Sequence, residues 1–249
     1  MMQDFLNGMT AYAAAVRHVR AYRMWGYVLL PGLLTVLIGG GVFWAAWAFS
    51  DDIGGVLSGL WPWDWGREVM QKASQILGGL LLLLLGLIFF KQIVMVLLSP
   101  FMSILSEKVE KQLRGDAWAG TSLSVPQILS DMVRGLRIAV RNIIRELLLT
   151  LLLLLLGLVP LFSPFTAILI FVVQSYYAGF GNLDFALERH YRYADSVRFV
   201  QRNRALALGN GAVFMLLLFT FAGFLVALPL GTVAATIETV KRVDGHLVK

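Results

Sequence analysis

The chain has 249 residues, of which 58% are hydrophobic and only 14% charged. A typical soluble domain carries about 25% charged residues, which keep its surface hydrated. The composition therefore excludes a disordered chain and a water-soluble enzyme domain, and it indicates one all-α integral membrane domain over residues 1–249. The net charge of +6 is typical of basic cytoplasmic loops. We accordingly expect membrane lipid as a partner, and no nucleic acid.

Two long apolar stretches are predicted to form transmembrane helices. The first, 24–50, is uncharged and long enough to cross the hydrocarbon core as one helix. The second, 73–106, is interrupted only by Lys91. As one helix it would be about 51 Å long and would project beyond the bilayer. Pro100 is expected to kink it or end it.

Two further uncharged stretches, 147–183 and 205–237, have lengths that fit neither one span nor two. Two spans and a turn need roughly 40 residues, and one span needs about 20. Glycine and proline lie near the middle or in the second half of each stretch, so we expect two re-entrant, hemi-penetrating helical hairpins. The turn backbone must then be buried in protein or face water. Ordinary hairpins that span the membrane twice are the alternative.

The distribution of basic residues predicts the topology. Of 21 Lys and Arg, 18 lie in the segments 1–23, 107–146, 184–204 and 238–249, whereas the loop 51–72 has four acids and two bases. Cytoplasmic loops are enriched in Lys and Arg. The sequence thus predicts a multi-pass protein whose N- and C-termini are both cytoplasmic.

Sequence signatures of catalysis are missing. The three histidines are scattered, and the chain has neither an HExxH motif, nor a GxSxG elbow, nor a P-loop. It also has no cysteine, which excludes thiolate metal sites. We therefore expect no enzymatic activity, no cofactor, no metal and no ATP-driven step within this chain.

The segment 126–146 is predicted to be a basic amphipathic cytoplasmic helix. Four arginines at helical spacing line one of its faces: Arg134, Arg137, Arg141 and Arg145. Arg198 and Arg202 likewise share a face before the last apolar stretch. Each cluster is either a membrane anchor that meets lipid phosphates or an electropositive vestibule that concentrates anions.

Arg20 and Arg23 directly precede the first membrane helix. Guanidinium donors beside the free amides of a helix N-terminus suit an oxyanion. Arginines at such a border are alternatively simple topology determinants.

Lys91 is a functional candidate because it lies inside an apolar stretch. Alternatively, its long side chain extends along the helix so that the ammonium group reaches the membrane interface.

Three charged residues follow the second apolar stretch at helical spacing, namely Glu107, Glu110 and Arg114. Pairing within one helix is the simplest explanation for such a pattern. The same side chains are also candidates for polar groups beside a pore.

Three motifs are similar to those of one known family. The first comprises Ser99-Pro100-Phe101, Leu105, Glu107, Glu110, Leu113 and Gly115. The second begins at Asp184 and includes Arg198, Arg202, Arg204, Gly209 and Gly211. The third is Val28-Leu29-Leu30-Pro31. With these motifs the sequence resembles the CysZ-type bacterial sulfate permeases, which belong to a wider family including etoposide-induced proteins of the endoplasmic reticulum.

The resemblance implies two transmembrane helices, two hemi-penetrating hairpins and assembly into a homo-oligomer. It also implies channel-like sulfate uptake across the bacterial inner membrane for cysteine biosynthesis. The family's anion site is a basic doublet just before the first membrane helix. The corresponding positions here are Trp25 and Gly26, with Arg20 and Arg23 upstream. These four residues form the candidate anion site.

Our leading hypothesis is a permease or ion channel for sulfate or a related oxyanion. A non-transport membrane scaffold, or a protein that shapes bilayers, would share the same fold and the same basic helix. An enzyme acting on lipid is a third and weaker alternative, because no catalytic constellation is visible.

Overall fold

The computed structural model describes residues 1–48, 86, 89–91, 93–115, 125–159, 161–220 and 223–247. Within these ranges the regular elements are helices, which confirms the all-α class. They are α1 Met2–Ala21, α2 Trp25–Ala48, α3 Ser99–Arg114, α4 Val125–Gly157, α5 Ser163–Leu187, α6 Tyr193–Arg202, α7 Arg204–Leu218 and α8 Gly223–Leu247. A helical segment, Phe89–Leu97, precedes α3. The loop 51–72 and the start of the predicted second membrane helix lie outside the described residues.

The bundle is built around α8. Every residue from 227 to 240 is buried, which is the pattern of a helix surrounded by other helices. α8 packs against α1, α2, α3, α5 and α7, and α4 packs against α5. On α3, the buried side chains of Met102, Leu105 and Val109 belong to this core. Apolar side chains of distant segments are thus brought together around one central helix.

The two predicted hairpin stretches each consist of two packed helices. The stretch 147–183 breaks between Gly157 and Ser163, and the stretch 205–237 breaks between Leu218 and Gly223. In addition, α4 continues without interruption from the basic segment 126–146 into the first hairpin stretch. The reason is local, because residues 136–156 contain neither glycine nor proline.

The outward surface of α2, α4 and α5 is apolar. Its exposed side chains include Leu30, Leu33, Leu37, Leu148, Leu152, Leu155, Phe165, Ile168 and Leu169. A belt of this size is unsuited to water and suited to lipid hydrocarbon. By length and composition α5 could cross a membrane alone. Two bent pairs could each form one further span, namely α1 with Trp25–Gly41 at 117° and Phe89–Leu97 with α3 at 63°.

Glycines allow α5 and α7 to approach closely. A Cβ atom at Gly211 would lie 1.7 Å from the Ser175 carbonyl oxygen, and one at Gly179 would lie 1.8 Å from the Ala207 carbonyl oxygen. Both obstacles are backbone atoms, which cannot rotate away as a side chain does. Small residues at such crossings are the usual means of packing helices in membranes.

Gly211→Ala is therefore expected to lower the free energy of unfolding by about 1–3 kcal/mol through overpacking. The matched control is Gly40→Ala, since a Cβ atom at Gly40 meets nothing within 4 Å. The control should be neutral or stabilising, because alanine is the better helix former. Unfolding of the purified variants in mixed detergent micelles measures both. Equal stability of the two variants would contradict this packing.

Candidate functional site

The corner between α1 and α2 holds all four residues of the candidate anion site. The two helices meet at 117°, and Arg20, Arg23, Trp25 and Gly26 are all exposed there. Arg23 adopts a positive φ of 53°, which is uncommon for a residue other than glycine. The first turn of α2 begins at this corner, and a helix N-terminus presents backbone N–H groups and a positive dipole end to anions.

A third cation reaches this corner from α3. The Lys108 ammonium lies 3.9 Å from the centroid of the Tyr27 ring and donates a hydrogen bond to its hydroxyl. Nearby, His18 Nε2 and Gln112 Oε1 lie 2.7 Å apart and join α1 to α3. We refer to Arg20, Arg23, Lys108 and the first turn of α2 as the basic corner. Its charges and amide donors are suited to hold an oxyanion.

A buried polar triad lies inside the bundle. The Lys91 ammonium forms an ion pair with Glu146 of α4 and donates a hydrogen bond to Gln174 Oε1 of α5 at 3.1 Å. The side chains of both charged partners are fully buried. Lys91 therefore does not extend to the interface, and its charge is neutralised inside the protein. Such burial requires pairing, because an isolated charge in an apolar medium is very costly.

A second buried cluster surrounds Glu110 of α3. The fully buried carboxylate lies 3.1 Å from Arg114 Nε, 3.1 Å from Arg189 and 2.8 Å from His190 Nε2. The pairing of Glu110 with Arg114 within one helix is as the sequence predicted. Arg189 also donates a hydrogen bond of 2.7 Å to Ser106. This Glu110 cluster ties α3 to the segment that follows α5.

Arg134 is placed inside the protein rather than at a lipid surface. Its guanidinium donates two hydrogen bonds to the Asp184 carboxylate, at 2.8 and 3.3 Å, and a third to Ser196 Oγ. The arrangement joins α4, α5 and α6. Because its charge is already paired with Asp184, Arg134 does not support the alternative in which this cluster anchors the helix to lipid phosphates.

The other arginines of α4 lie closer to solvent. Arg137 stacks on the Tyr193 ring at 5.6 Å and Arg141 on the Phe180 ring at 5.4 Å. The apolar face of the same helix points outward and is exposed at Val133, Leu136, Val140 and Ile144. The amphipathic pattern is therefore real, with its arginine face turned towards α5 and α6.

The remaining predicted residues are not part of the basic corner and lie on α6 and α3. Arg198 and Arg202 are exposed on α6, where Arg198 lies 3.5 Å from Asp195. Glu107 is half-buried on α3, one turn before Glu110. Among the described residues, no group of three or more His, Cys, Asp or Glu side chains is arranged to hold a metal ion.

Sequence reasoning missed most of the buried partners. Glu146, Gln174, Asp184, Arg189 and His190 were not singled out as site residues. The single available signal was polarity, because Gln174 and Asp184 lie in or directly after an otherwise apolar stretch. Polar residues in such positions are functional candidates by default.

A comparison with protein families relates this architecture to known proteins. A family model described as "Sulfate transporter CysZ/Etoposide-induced protein 2.4" matches residues 11–230. The matched range includes the basic corner, the buried triad and the Glu110 cluster. Together with the exposed apolar belt, the match makes this a membrane protein. The chain belongs to the Sulfate transporter CysZ/Etoposide-induced protein 2.4 family.

Proposed function

We propose that the protein is a permease for sulfate or a related oxyanion that uses no nucleotide hydrolysis within this chain. It would act as a homo-oligomer in the bacterial inner membrane, with both termini in the cytoplasm, and supply sulfate for cysteine biosynthesis. The family supports the transport of sulfate in general terms. The choice of anion, the homo-oligomer, the inner membrane, the cytoplasmic termini and the role in cysteine biosynthesis are parts of our proposal.

The basic corner is the observation that carries this proposal. Arg20 and Arg23 are exposed where α2 begins, and the Lys108 ammonium contacts Tyr27 in the first turn of α2. A doubly charged oxyanion is well matched by several fixed donors at once. Although Trp25 and Gly26 occupy the family's doublet positions, the neighbouring cations supply the same charge.

The route from the corner is proposed to follow α3. This helix carries Lys108 at the corner and, further along, Glu110 and Arg114 in the buried cluster. Buried ionisable groups within a membrane bundle typically mark a substrate path. The arginines of α4 and α6 would form an electropositive vestibule that concentrates anions; these are Arg137, Arg141, Arg198 and Arg202.

The re-entrant form of the second hairpin is supported by its length. With 15 residues, α7 is about 22 Å long at 1.5 Å per residue. The hydrocarbon core is about 30 Å thick, so α7 is too short to span it. Its end near Leu218 would then lie inside the membrane.

Removal of the corner cations should abolish most of the sulfate flux. Proteoliposomes containing the Arg20→Gln/Arg23→Gln variant are expected to take up isotopic sulfate at least tenfold more slowly than the wild type, because charged hydrogen bonds contribute about 1.5–3 kcal/mol each. Competition by sulfite, phosphate and chloride measures selectivity.

The matched control is Arg17→Gln, which removes one exposed charge from the same helix and should leave uptake unchanged. Wild-type flux no greater than that of empty liposomes, with folded protein confirmed, would contradict the permease. Binding to anionic vesicles without any flux would instead favour the membrane scaffold.

A further inference from the structure

An open groove of about 610 Å³ lies between α1, α4, α5 and α7. It is at the opposite end of α1 from the basic corner, beside Phe5. Its walls are almost entirely apolar and include Leu149, Val172, Val173 and Leu208. The volume is within the range of about 300–1,000 Å³ that is typical of small-molecule sites. Leu149 is 45% exposed and Val172 is 37% exposed, so the groove opens to the surroundings of the bundle.

Three arginines, Arg204 of α7 and Arg141 and Arg145 of α4, lie at one end of this groove. Arg204 of α7 lines it directly, together with Tyr176 of α5. Arg141 of α4 lies 5.4 Å from the Phe180 ring, and the centroid of that ring is 6.3 Å from the centroid of the Tyr176 ring. Since Arg141 and Arg145 are one turn apart on α4, the end of the groove has a concentrated positive charge.

The three arginines differ from other arginines of the bundle in the partners that the described residues give them. Within the described part of the chain, no carboxylate forms an ion pair with Arg141, Arg145 or Arg204. Arg141 instead donates to Asn142 Oδ1 at 2.9 Å, and Arg204 donates to the Gln201 carbonyl oxygen at 3.0 Å. These arginines therefore differ from Arg134 and Arg189, which are paired with acids.

The three helices change from polar to apolar in the same direction. On α4 and α7, which run towards the hairpin turns, Arg145 is followed one turn later by Leu149, and Arg204 by Leu208. On α5, which runs away from its turn, Val172 precedes Tyr176 by one turn. The groove is consequently cationic at one end and apolar along the rest of its length.

From this geometry we propose that the groove binds an anionic phospholipid, with its phosphate at the three arginines and an acyl chain along the apolar walls. Guanidinium groups bind phosphate oxygens in paired hydrogen bonds. A free oxyanion would leave the apolar walls unused, and a zwitterionic lipid would place a second positive charge beside the arginines. An anionic lipid would contact both parts of the groove, with its phosphate at the cationic end and its acyl chain against the apolar walls.

Native mass spectrometry of the purified full-length protein tests this proposal with phosphatidylglycerol and phosphatidylcholine of identical acyl chains. The wild type is expected to retain phosphatidylglycerol preferentially. Arg145→Gln/Arg204→Gln should weaken that binding about thirtyfold, since each basic residue at a lipid surface contributes roughly fivefold. Binding of phosphatidylcholine should not change. Val172→Trp, which fills the apolar part, should weaken the retention of both lipids.

The matched control, Arg17→Gln/Arg192→Gln, removes two exposed charges outside the groove and should retain the wild-type preference. If the double groove variant does not fold, Arg204→Gln alone provides the test, because that side chain is exposed. Equal retention of the two lipids would overturn the proposal. A preserved preference in the groove variants, or displacement of the lipid by inorganic phosphate, would overturn it as well.

Discussion

Replacement of Lys91 with methionine is expected to lower the free energy of unfolding by about 3–5 kcal/mol. The substitution keeps the length of the side chain but leaves the Glu146 carboxylate buried without its ammonium partner. Gln174 also loses a hydrogen-bond donor. Unfolding of the purified protein in mixed detergent micelles, followed by circular dichroism, measures the change.

The double variant Lys91→Met/Glu146→Leu separates charge pairing from packing. Because an apolar pair of similar volume is often as stable as a buried ion pair, the double variant should recover most of the loss. A double variant as unstable as the single one would contradict the pairing. Sulfate uptake by the stable double variant then distinguishes two roles. Retained flux indicates a purely structural pair, whereas lost flux assigns the pair to the substrate path.

Replacement of Glu110 with glutamine should have a comparable effect. The neutral amide keeps the shape of the carboxylate but cannot balance Arg189 and Arg114, and it also faces His190. Breaking a buried ion pair costs about 3–5 kcal/mol. For a protein of this size the melting temperature should fall by roughly 10 °C. A thermal melt of the purified protein in detergent measures this shift.

Glu107→Gln is the matched control, because Glu107 lies one turn earlier on the same helix and is only half-buried. The free energy of unfolding should change by no more than about 1 kcal/mol, because a charge that solvent still reaches contributes little to stability. If both glutamine variants lowered the melting temperature equally, Glu110 would not be the centre of the cluster.

The helical breaks were largely predictable from local sequence. Gly157 ends α4, Pro164 lies in the first turn of α5, and Gly223 begins α8. These residues act on their own backbone, so their effect is visible in the sequence. The continuity of α4 was less apparent from the sequence. The change from an arginine-rich segment to a leucine-rich one near residue 147 resembles the boundary between two elements, although α4 continues through it.

The candidate site was predictable only where its residues are neighbours in the chain. Arg20, Arg23, Trp25 and Gly26 fall within one turn and its flanks, so their proximity follows directly from the sequence, whereas their binding of an anion stays a prediction. Their further partner could not be found in this way, since Lys108 lies 81 residues from Tyr27.

The sequence by itself determined the membrane location, the helical class and the concentration of basic residues in a few segments. These properties follow from side-chain transfer free energies and helical periodicity, which are local. Only the tertiary structure decided which charges meet, such as Lys91 with Glu146 and Arg134 with Asp184. These pairs depend on how α4 packs against α5 and against the segment that carries Lys91, and short-range patterns contain no information about such distances.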